Sequence, residues 1–337
     1  SMKKLLLLLI IPFLSFGQNL TYVPDDGFEY WIENNIDGAS NGDVNDNYVL
    51  TAPLQSWGWS LSIEQTIPIY DLMGIEDFMF SSLTIDGLYV SEIDLSDVEF
   101  SAQNQLTYLN ISGNQYLENI ILPKDTIHNL IVGYHLGLEN IEFQDELVFS
   151  DVSISYCQAI SCEIKFKGKA INRGELTPTI SFTGGCFEEG AFGANPSLVS
   201  IDFSLLSEIP FGTRLSFGSA PSLSYININN DIPIYNWELD SYLLSGENLC
   251  IEVNNPDFCY NNTDWPQEFF DGSEWENINY TTNCNTPDCS TISILNTPTI
   301  TKSLLKTIDI LGREATNKGF QLHIYDDGSV EKKYLIK

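Results

Sequence analysis

The amino-acid sequence predicts a β-rich solenoid, in which short parallel strands wind in successive coils, with few helices, a cap at each end and a small β-meander at the C-terminus. A frame of the form LxxLxLxxN/C recurs in the middle of the chain. Non-repeating segments flank it, one with the signals of a capped helix and one rich in cysteine. Over residues 306–337 apolar residues alternate with polar ones, which is typical of a small sheet.

The N-terminal segment "MKKLLLLLIIPFLSFGQ" has the parts of a secretory signal peptide. Lys3 and Lys4 precede an apolar run, and the small residues Ser15 and Gly17 favour cleavage between Gly17 and Gln18. The run is too short to indicate a transmembrane helix, and no other segment approaches the necessary length. We therefore expect an exported protein without a transmembrane segment, whose cysteines meet an oxidising compartment.

The net charge of the chain limits the kinds of molecule that it can bind. There are 46 acidic and 15 basic side chains, which give a formal net charge of −31. Most basic residues lie at the two ends of the chain, so the body between them is more acidic still. Such a surface repels phosphate backbones and anionic lipids, and we expect no nucleic-acid partner. The charge is compatible with a cation, a neutral ligand such as a sugar, or a basic partner. A simpler interpretation is that the charge only keeps an exported protein soluble.

The repeat is defined by three copies, "LTYLNISGN" (106–114), "IHNLIVGYH" (127–135) and "FSDVSISYC" (149–157). Weaker copies stand at 177–185 and 212–220, and a degenerate copy stands at 81–95. A second apolar triplet follows each copy, as Leu117, Ile120 and Leu122 follow the first. Each coil is therefore expected to contain a short strand, a turn, a second extended segment and a return.

The last position of the frame, Asn114 in the first copy, requires a small polar side chain that bonds the backbone of the turn inside the coil. Cys157 fills this position in the third copy, and His135, Gly185 and Ala220 fill it elsewhere. We therefore expect the turns to form a buried column with a different residue in each coil.

The frame also determines which side chains point outward from the sheet. Alternation points Leu109 and Ile111 into the coil and the residues between them outward. The outward residues predict three columns: Tyr108, Asn129, Asp151, Thr179 and Arg214; Asn110, Ile131, Ser153, Ser181 and Ser216; Ser112, Gly133, Ser155, Thr183 and Gly218. With the neighbouring tyrosines, the candidate binding residues are Tyr108, Asn110, Asn129, Tyr134, Asp151, Ser153, Tyr156 and Arg214. Such a surface suits a sugar or a peptide loop, although any solvated sheet also needs small polar residues.

The repeat resembles the leucine-rich repeat family, in the irregular form found on bacterial surfaces. The flanks are similar to the caps of those proteins, with a "VPDDGF" start and a "DLMGIEDF" segment before the first coil, and "NLCIEVNNPDFC" after the last. From the residues themselves, the segment Pro24, Asp25 and Asp26 caps a helix whose apolar face carries Phe28, Trp31 and Ile32. The resemblance implies recognition or adhesion through the solenoid surface.

Four of the seven cysteines lie between residues 250 and 289, where three pairings are available. We favour Cys250–Cys284 together with Cys259–Cys289. Zinc is the rival interpretation, but neither a CxxC pair nor a histidine accompanies these cysteines. The odd number of cysteines leaves at least one free thiol, which we expect in the core of the repeats.

An Asp/Asn-rich loop, "DGASNGDVNDN" at 37–47, is the candidate metal site. Asp37, Asp43, Asn45 and Asp46 offer hard oxygen ligands that suit a structural calcium ion. The loop is not an EF-hand, because Tyr48 stands where the turn glycine belongs. A solvated loop without an ion is the alternative, and no other cofactor is expected.

The C-terminal segment "KTIDILGREATNKGFQLHIYDDGSVEKKYLIK" alternates around Ile308 and Ile324 and carries a "DDGS" turn, which predicts a three-stranded meander. It resembles the sorting domain of the type IX secretion system of Gram-negative bacteria. The residues that carry the resemblance are Gly312, Gly319, Asp327, Gly328, Lys332 and Lys333. It lacks the "NP" start and the "LxxGxY" strand of the longer form. The resemblance implies that the secretion machinery is a partner, and display on the outer membrane or release as the outcome.

The predicted organisation is a signal peptide (1–17), an N-terminal cap (18–80), a solenoid (81–247), a cysteine-containing cap (248–289), a linker (290–303) and a sorting domain (304–337). The sequence contains no GxSxG, HExxH or P-loop motif, and we expect His128 and His135 to fill turns or lie on the surface. A binding or adhesion protein without enzymatic activity is the leading hypothesis. A carbohydrate-active enzyme or accessory module, suggested by the carboxylates and six tryptophans, and a structural surface-layer component are the alternatives.

Overall fold

The computed structural model describes residues 19–43, 45–55, 60–64, 67–98, 108–157, 159–160, 163–183, 195, 197–217, 222–232, 237–240, 248–261, 277–285, 304–308, 313, 319–325 and 330–335. The chain divides into two units, Ser1–Ile294 and Leu295–Lys337. The predicted signal peptide and linker lie outside the described residues.

The first unit is a parallel β-solenoid with few helices, as predicted. Its strands are β1 (Leu20–Tyr22), β2 (Tyr48–Leu50), β3 (Ser60–Glu64), β4 (Ser82–Asp86), β5 (Glu92–Asp94), β6 (Tyr108–Ser112), β7 (Asn119–Ile121), β8 (Thr126–His135), β9 (Asn140–Glu142), β10 (Val148–Cys157), β11 (Glu163–Ala170), β12 (Thr179–Thr183), β13 (Ser200–Glu208), β14 (Thr213–Phe217), β15 (Tyr225–Asn227), β16 (Trp237–Asp240), β17 (Asn248–Glu252) and β18 (Asn277–Thr281). The helices are α1 (Asp26–Asn35), α2 (Thr51–Gln55) and α3 (Pro256–Asn261), with a 3-10 turn at Ile75–Asp77.

The first strands of successive coils form one long parallel face, in the order β3-β4-β6-β8-β10-β12-β14-β16. Its register stacks inward residues directly: Ile85, Ile111, Val132, Ile154 and Phe182 lie opposite one another across consecutive strands. All five are fully buried. The face begins at β3, a strand inside the segment predicted as the N-terminal cap. Alternation in "SLSIE" produces this strand, although that segment lacks the rest of the repeat frame.

The second triplets of the coils form the opposite wall of the solenoid. Strands β5, β7 and β9 pair in parallel, with Ile93, Ile120 and Ile141 in register. Strands β11, β13, β15, β17 and β18 form a second parallel ladder, which is joined to the first face through the pairing of β11 with β10. This ladder extends into the segment predicted as the C-terminal cap. Apolar side chains from both walls fill the space between them, including a cluster of phenylalanines at residues 143, 149, 166, 182 and 203.

Helix α1 begins as the sequence predicts. The Asp25 carboxylate accepts a hydrogen bond from the Phe28 N–H at 2.7 Å, which satisfies one of the unpaired donors at the helix N-terminus. Phe28, Trp31 and Ile32 are buried, so the predicted apolar face of the helix is confirmed. The helix and the Asp/Asn-rich loop connect β1 to β2, which pair antiparallel.

The second unit contains a three-stranded antiparallel sheet. Its strands are β19 (Leu304–Ile308), β20 (Gly319–Tyr325) and β21 (Val330–Leu335), and β20 lies in the middle. The strands lie where the alternation predicts a meander.

Candidate functional site

The outward columns of the first face have the predicted register. Asn110 lies beside Ile131, Ile131 beside Ser153, and Ser153 beside Ser181, while Ser181 pairs with Ser216. The sheet extends this column toward the N-terminus with Thr84 and Ser62, which the sequence analysis did not include. The candidate surface is therefore a continuous parallel sheet whose outward side chains are mostly small and polar.

The turn after β6 is organised around Asn114, which is fully buried. Its side-chain oxygen accepts a hydrogen bond from the Leu88 N–H at 2.8 Å. Its amide nitrogen donates to the carbonyl oxygens of Ile85 and Ser112, at 3.1 and 2.9 Å. One side chain therefore satisfies three backbone groups in two coils, which is the role predicted for this position.

His135 fills the same position in the next coil and is also fully buried. Its Nδ1 lies 3.1 Å from the Asn114 carbonyl oxygen, and its Nε2 lies 3.0 Å from the Ile111 carbonyl oxygen. Burial lowers the pKa of His135, although the two carbonyls favour the charged form. This histidine lines the inside of the turn, as predicted.

Cys157, the last residue of β10, fills the turn position of its coil as a free and fully buried thiol. Burial raises the pKa of this thiol to about 12, so it is not activated as a nucleophile. Its backbone N–H donates to Asn195 Oδ1 at 3.2 Å, and the Asn195 amide donates to the Ile154 carbonyl at 3.4 Å. Asn195 thus provides the buried asparagine of the following coil. Gly185 and Ala220 lie outside the described residues.

Tyr134 and Tyr156 lie immediately before His135 and Cys157 and form a stacked pair. Their ring centroids are 4.7 Å apart and their planes differ by 13°. Both residues have left-handed backbone conformations, with φ of 60° and 54°. Gly113, one coil earlier, has φ of 69° at the corresponding position. The left-handed region disfavours residues with a Cβ, so these tyrosines hold a strained conformation that glycine would adopt without cost.

The tyrosine pair presents an aromatic platform at the edge of the polar columns. Tyr134 is 59% exposed, while Tyr156 is half-buried beneath it. The hydroxyl of Tyr156 and the side-chain oxygen of Asn110 are two buried polar atoms that have no hydrogen-bond partner among the described residues. Both belong to the candidate binding residues.

The other candidate binding residues are placed as follows. Tyr108, Asn129 and Ser153 are half-buried on the sheet, and Arg214 is exposed. Asp151 accepts a hydrogen bond from the Thr179 N–H at 2.9 Å, so one of its oxygens already holds the start of β12.

His128 lies close to Ser150, with 3.5 Å between the histidine Nδ1 and the serine hydroxyl. Burial and the nearby Arg173 lower the pKa of His128, whereas Asp151 raises it. Ser150 is 1% exposed, so its hydroxyl is not presented to a substrate. A serine, a histidine and an aspartate meet here, but the geometry suits packing between β8 and β10.

Hydrogen bonds to other residues of the chain fix the conformation of the Asp/Asn-rich loop. Glu29 of α1 is fully buried and accepts hydrogen bonds from the N–H groups of Asp46 and Asn47, both at 3.1 Å. Burial raises the pKa of Glu29, and these two hydrogen bonds act in the opposite direction. The Asp46 carboxylate accepts from the Asn41 amide at 3.0 Å and from the Tyr48 N–H at 3.0 Å.

The four candidate calcium ligands do not form a metal-binding group in the described part of the chain. Asp37 and Asp43 are exposed, and Asn45 has a left-handed backbone with φ of 57°. A calcium ion at this loop stays a prediction.

The disulfide Cys250–Cys284 is confirmed, with 6.1 Å between the two Cα atoms. It joins β17 to the residues that follow β18. Cys259 is buried at the end of α3, whereas Cys289 lies outside the described residues, so the second predicted pairing stays a prediction. In the tail, Gly319 begins β20, and Lys332 and Lys333 lie in β21. The remaining candidate sorting residues, Gly312, Asp327 and Gly328, lie outside the described residues.

Neither protein-family models nor curated proteins nor solved structures include a match to this chain. Among the described residues, no helix combines the length and the apolar character needed to cross a membrane. The class of the protein that the fold defines is thus a parallel β-solenoid with an outward polar face and a stacked tyrosine pair.

Proposed function

We propose that this chain is an exported leucine-rich-repeat protein that binds a protein or glycan ligand through the outward face of its solenoid. The observation that carries the proposal is the Tyr134–Tyr156 pair, which is stacked, partly exposed and held in left-handed backbone conformations. Strain of this kind costs of order 1–3 kcal/mol per residue and is concentrated at functional sites. The backbone conformation alone would favour glycine at both positions.

The surroundings of the pair suit a polar ligand with an apolar face. An exposed tyrosine ring offers a flat surface on which a sugar ring or a peptide side chain stacks. Beside it, the columns supply hydroxyl and amide groups from residues such as Ser153, Ser155 and Asn110, at strand spacings of about 4.8 Å. A rigid sheet holds these groups in place, which limits the entropy lost on binding.

A glycan array, followed by titration of any ligand that it identifies, tests this proposal. Replacement of both Tyr134 and Tyr156 by Ala is expected to weaken binding at least about tenfold. The matched control replaces Tyr22 and Tyr48, another exposed pair with ring centroids 5.4 Å apart on β1 and β2. The control is expected to retain full affinity. Equal losses in both variants would refute the tyrosine platform.

The alternatives give different results in the same experiments. Hydrolysis of a polysaccharide by the purified protein would favour the carbohydrate-active alternative. Absence of any ligand together with ordered self-assembly at high abundance would favour a structural surface-layer component.

We propose further that the C-terminal unit is a type IX sorting domain that directs the protein to the outer-membrane surface or the medium. The three-stranded sheet of β19, β20 and β21 and the lysines at positions 332 and 333 support this assignment. Residues 304–337 fused to a reporter with a signal peptide are expected to reach the cell exterior in a host with this secretion system. Retention of the reporter in the periplasm would exclude the assignment.

A further inference from the structure

A concave surface lies between the segment that precedes β4 and the strand β5. It is a cleft of about 480 Å³. Five carboxylates line it, and all five side chains are exposed: Asp71, Glu76, Glu92, Asp94 and Asp97. No lysine or arginine is among the described residues that line it. The cleft is thus a local concentration of negative charge in a chain that is already strongly acidic.

One side of the cleft is formed by the open edge of a sheet. Within the described part of the chain, β7 is the single partner of β5. The Leu95 N–H donates to the Ile121 carbonyl at 2.9 Å, and the Ser91 carbonyl accepts from the Asn119 N–H at 3.2 Å. Backbone groups alternate in direction along a strand, so the N–H and C=O groups of Glu92 and Asp94 point away from β7. An extended chain can pair with such an edge.

The rim of the cleft carries a ladder of tyrosines from consecutive coils. The ring centroids of Tyr70 and Tyr89 are 5.7 Å apart, and those of Tyr89 and Tyr116 are 5.4 Å apart. Tyr70 lines the cleft and is 59% exposed, and its neighbour Met73 is 50% exposed. Aromatic faces and a thioether beside carboxylates bind the aliphatic stem and the charged head of lysine or arginine together.

We propose that this cleft binds an extended, positively charged segment of a partner polypeptide. The carboxylates select a cation, the tyrosine rim accommodates the stems of basic side chains, and the open edge of β5 offers main-chain hydrogen bonds that only a polypeptide fully uses. The acidic body of the protein also steers a basic partner toward the cleft and accelerates association.

Other occupants fit these observations less well. A metal ion fits less well, because the carboxylates of the cleft do not form a metal-binding group among the described residues. A neutral sugar would use the tyrosines but not the charge. Strand β11 of another copy of this chain is a poor donor, because Lys165, Lys167 and Lys169 already lie 2.9–3.9 Å from carboxylates of their own chain.

The inference is independent of the proposed function, since none of the candidate binding residues of the sheet face lines the cleft. Its test is a fluorescence-anisotropy titration of the full chain with a labelled ten-residue peptide in which lysine and threonine alternate. One variant combines Glu92→Gln, Asp94→Asn and Asp97→Asn. The matched control combines Glu139→Gln, Glu142→Gln and Glu146→Gln, three exposed acids farther along the same wall, and has the same change in net charge.

We expect the unmodified chain to bind the peptide, the cleft variant to lose about tenfold or more in affinity, and the control to lose less than about threefold. Tyr70→Leu is expected to weaken peptide binding about threefold, and added salt should change this loss little. Circular dichroism of each variant confirms that the coils are intact.

Several results would overturn the proposal. Equal losses in the cleft and control variants would mean that the peptide responds only to overall charge. Spermine, a polycation without a peptide backbone, would bind as tightly as the peptide if the sheet edge had no role. Displacement of the peptide by a neutral glucan oligosaccharide would make the cleft a sugar site instead.

Discussion

The turns that follow β6 and β8 occupy the same place in consecutive coils, yet they are filled in different ways. Asn114 has an oxygen and an NH₂ group, and it satisfies one backbone donor and two backbone acceptors. His135 faces two acceptors, the carbonyls of Asn114 and Ile111. A neutral imidazole has a single N–H and can donate to one of them only. The asparagine turn is therefore fully satisfied at every pH, and the histidine turn is not.

The residue that precedes the turn position is also less strained in the asparagine coil than in the histidine coil. Gly113 adopts the left-handed conformation at no steric cost, whereas Tyr134 adopts it with strain. The coil that ends at Asn114 is thus optimised for stability at both positions. The coil that ends at His135 gives up stability at both, and it carries the exposed aromatic ring of the candidate site. The comparison indicates that departures from the repeat frame mark the region with a role beyond folding.

The largest effect is expected from Asn114→Ala. This change leaves the Leu88 N–H and the Ile85 and Ser112 carbonyls without a partner in the core, at about 1–3 kcal/mol for each fully buried group. We expect the free energy of unfolding, measured by urea denaturation, to fall by about 3–5 kcal/mol. Asn110→Ala on the outward face serves as the control and should cost less than about 1 kcal/mol. Similar losses in the two variants would contradict the structural role of Asn114.

A smaller effect is expected from Asn195→Ala. The hydrogen bonds of Asn195 to Cys157 and Ile154 are fewer and longer, at 3.2 and 3.4 Å, than those of Asn114. We expect a loss of about 2 kcal/mol and faster hydrogen exchange at the Cys157 amide, which NMR can follow. Asn172→Ala, at an exposed position, should leave both measurements unchanged. Unaltered protection of the Cys157 amide would exclude Asn195 from this turn.

Asn195 also illustrates what the sequence could and could not predict. The strand register and the columns follow from the alternation in the LxL frame, so residues such as Asn110 and Ser153 were placed correctly. Gly185, the turn residue that the frame predicts for the next coil, lies outside the described residues, whereas two hydrogen bonds place Asn195 in such a turn. The similarity between "NPSLVSIDF" at 195–203 and "NQYLENIIL" at 114–122 was the available signal.

Other features could not be predicted from the sequence because they depend on contacts between coils. The stacking of Tyr134 on Tyr156 arises from the left-handed backbone of both residues, which no local residue pattern indicates. The acidic cleft joins Asp71 and Glu76 to Glu92 and Asp97, each 21 residues farther along the chain. This separation equals one repeat, but the segment with Asp71 and Glu76 lacks the repeat frame, so the frame alone does not align the two segments. Sequence periodicity describes the coils, while the loops between them determine where the surface is concave.

The histidine turn predicts a pH dependence that the asparagine turn lacks. Burial lowers the pKa of His135 below its ordinary value of 6.5, so the folded protein binds fewer protons than the unfolded chain as the pH falls through 6.5. The contribution of His135 to stability is therefore present above this pH and is lost on acidification. The nearby Asp86 carboxylate opposes the shift but does not reverse it.

His135→Asn tests this difference directly. At about pH 7.5 we expect the stability of the variant to lie within about 1 kcal/mol of the original, because one polar turn residue replaces another. Between about pH 7.5 and pH 5.5 the original should lose more stability than the variant, in urea denaturation at each pH. Parallel pH profiles would show that the imidazole stays in the same protonation state in the folded and unfolded chains.

The smallest effect on stability is expected from Tyr134→Gly. Glycine removes a left-handed strain of about 1 kcal/mol and also a ring stack of about 0.5–1.5 kcal/mol, so the two changes nearly cancel. The reverse exchange, Gly113→Ala, should destabilise by about 1–2 kcal/mol, because its new Cβ would meet the Asp86 carboxylate at a left-handed position. If Tyr134→Gly leaves the urea midpoint unchanged but abolishes ligand binding, the tyrosine is retained for recognition. A loss of more than about 2 kcal/mol would instead make the stacked pair a part of the core, and the strain would then have a structural explanation.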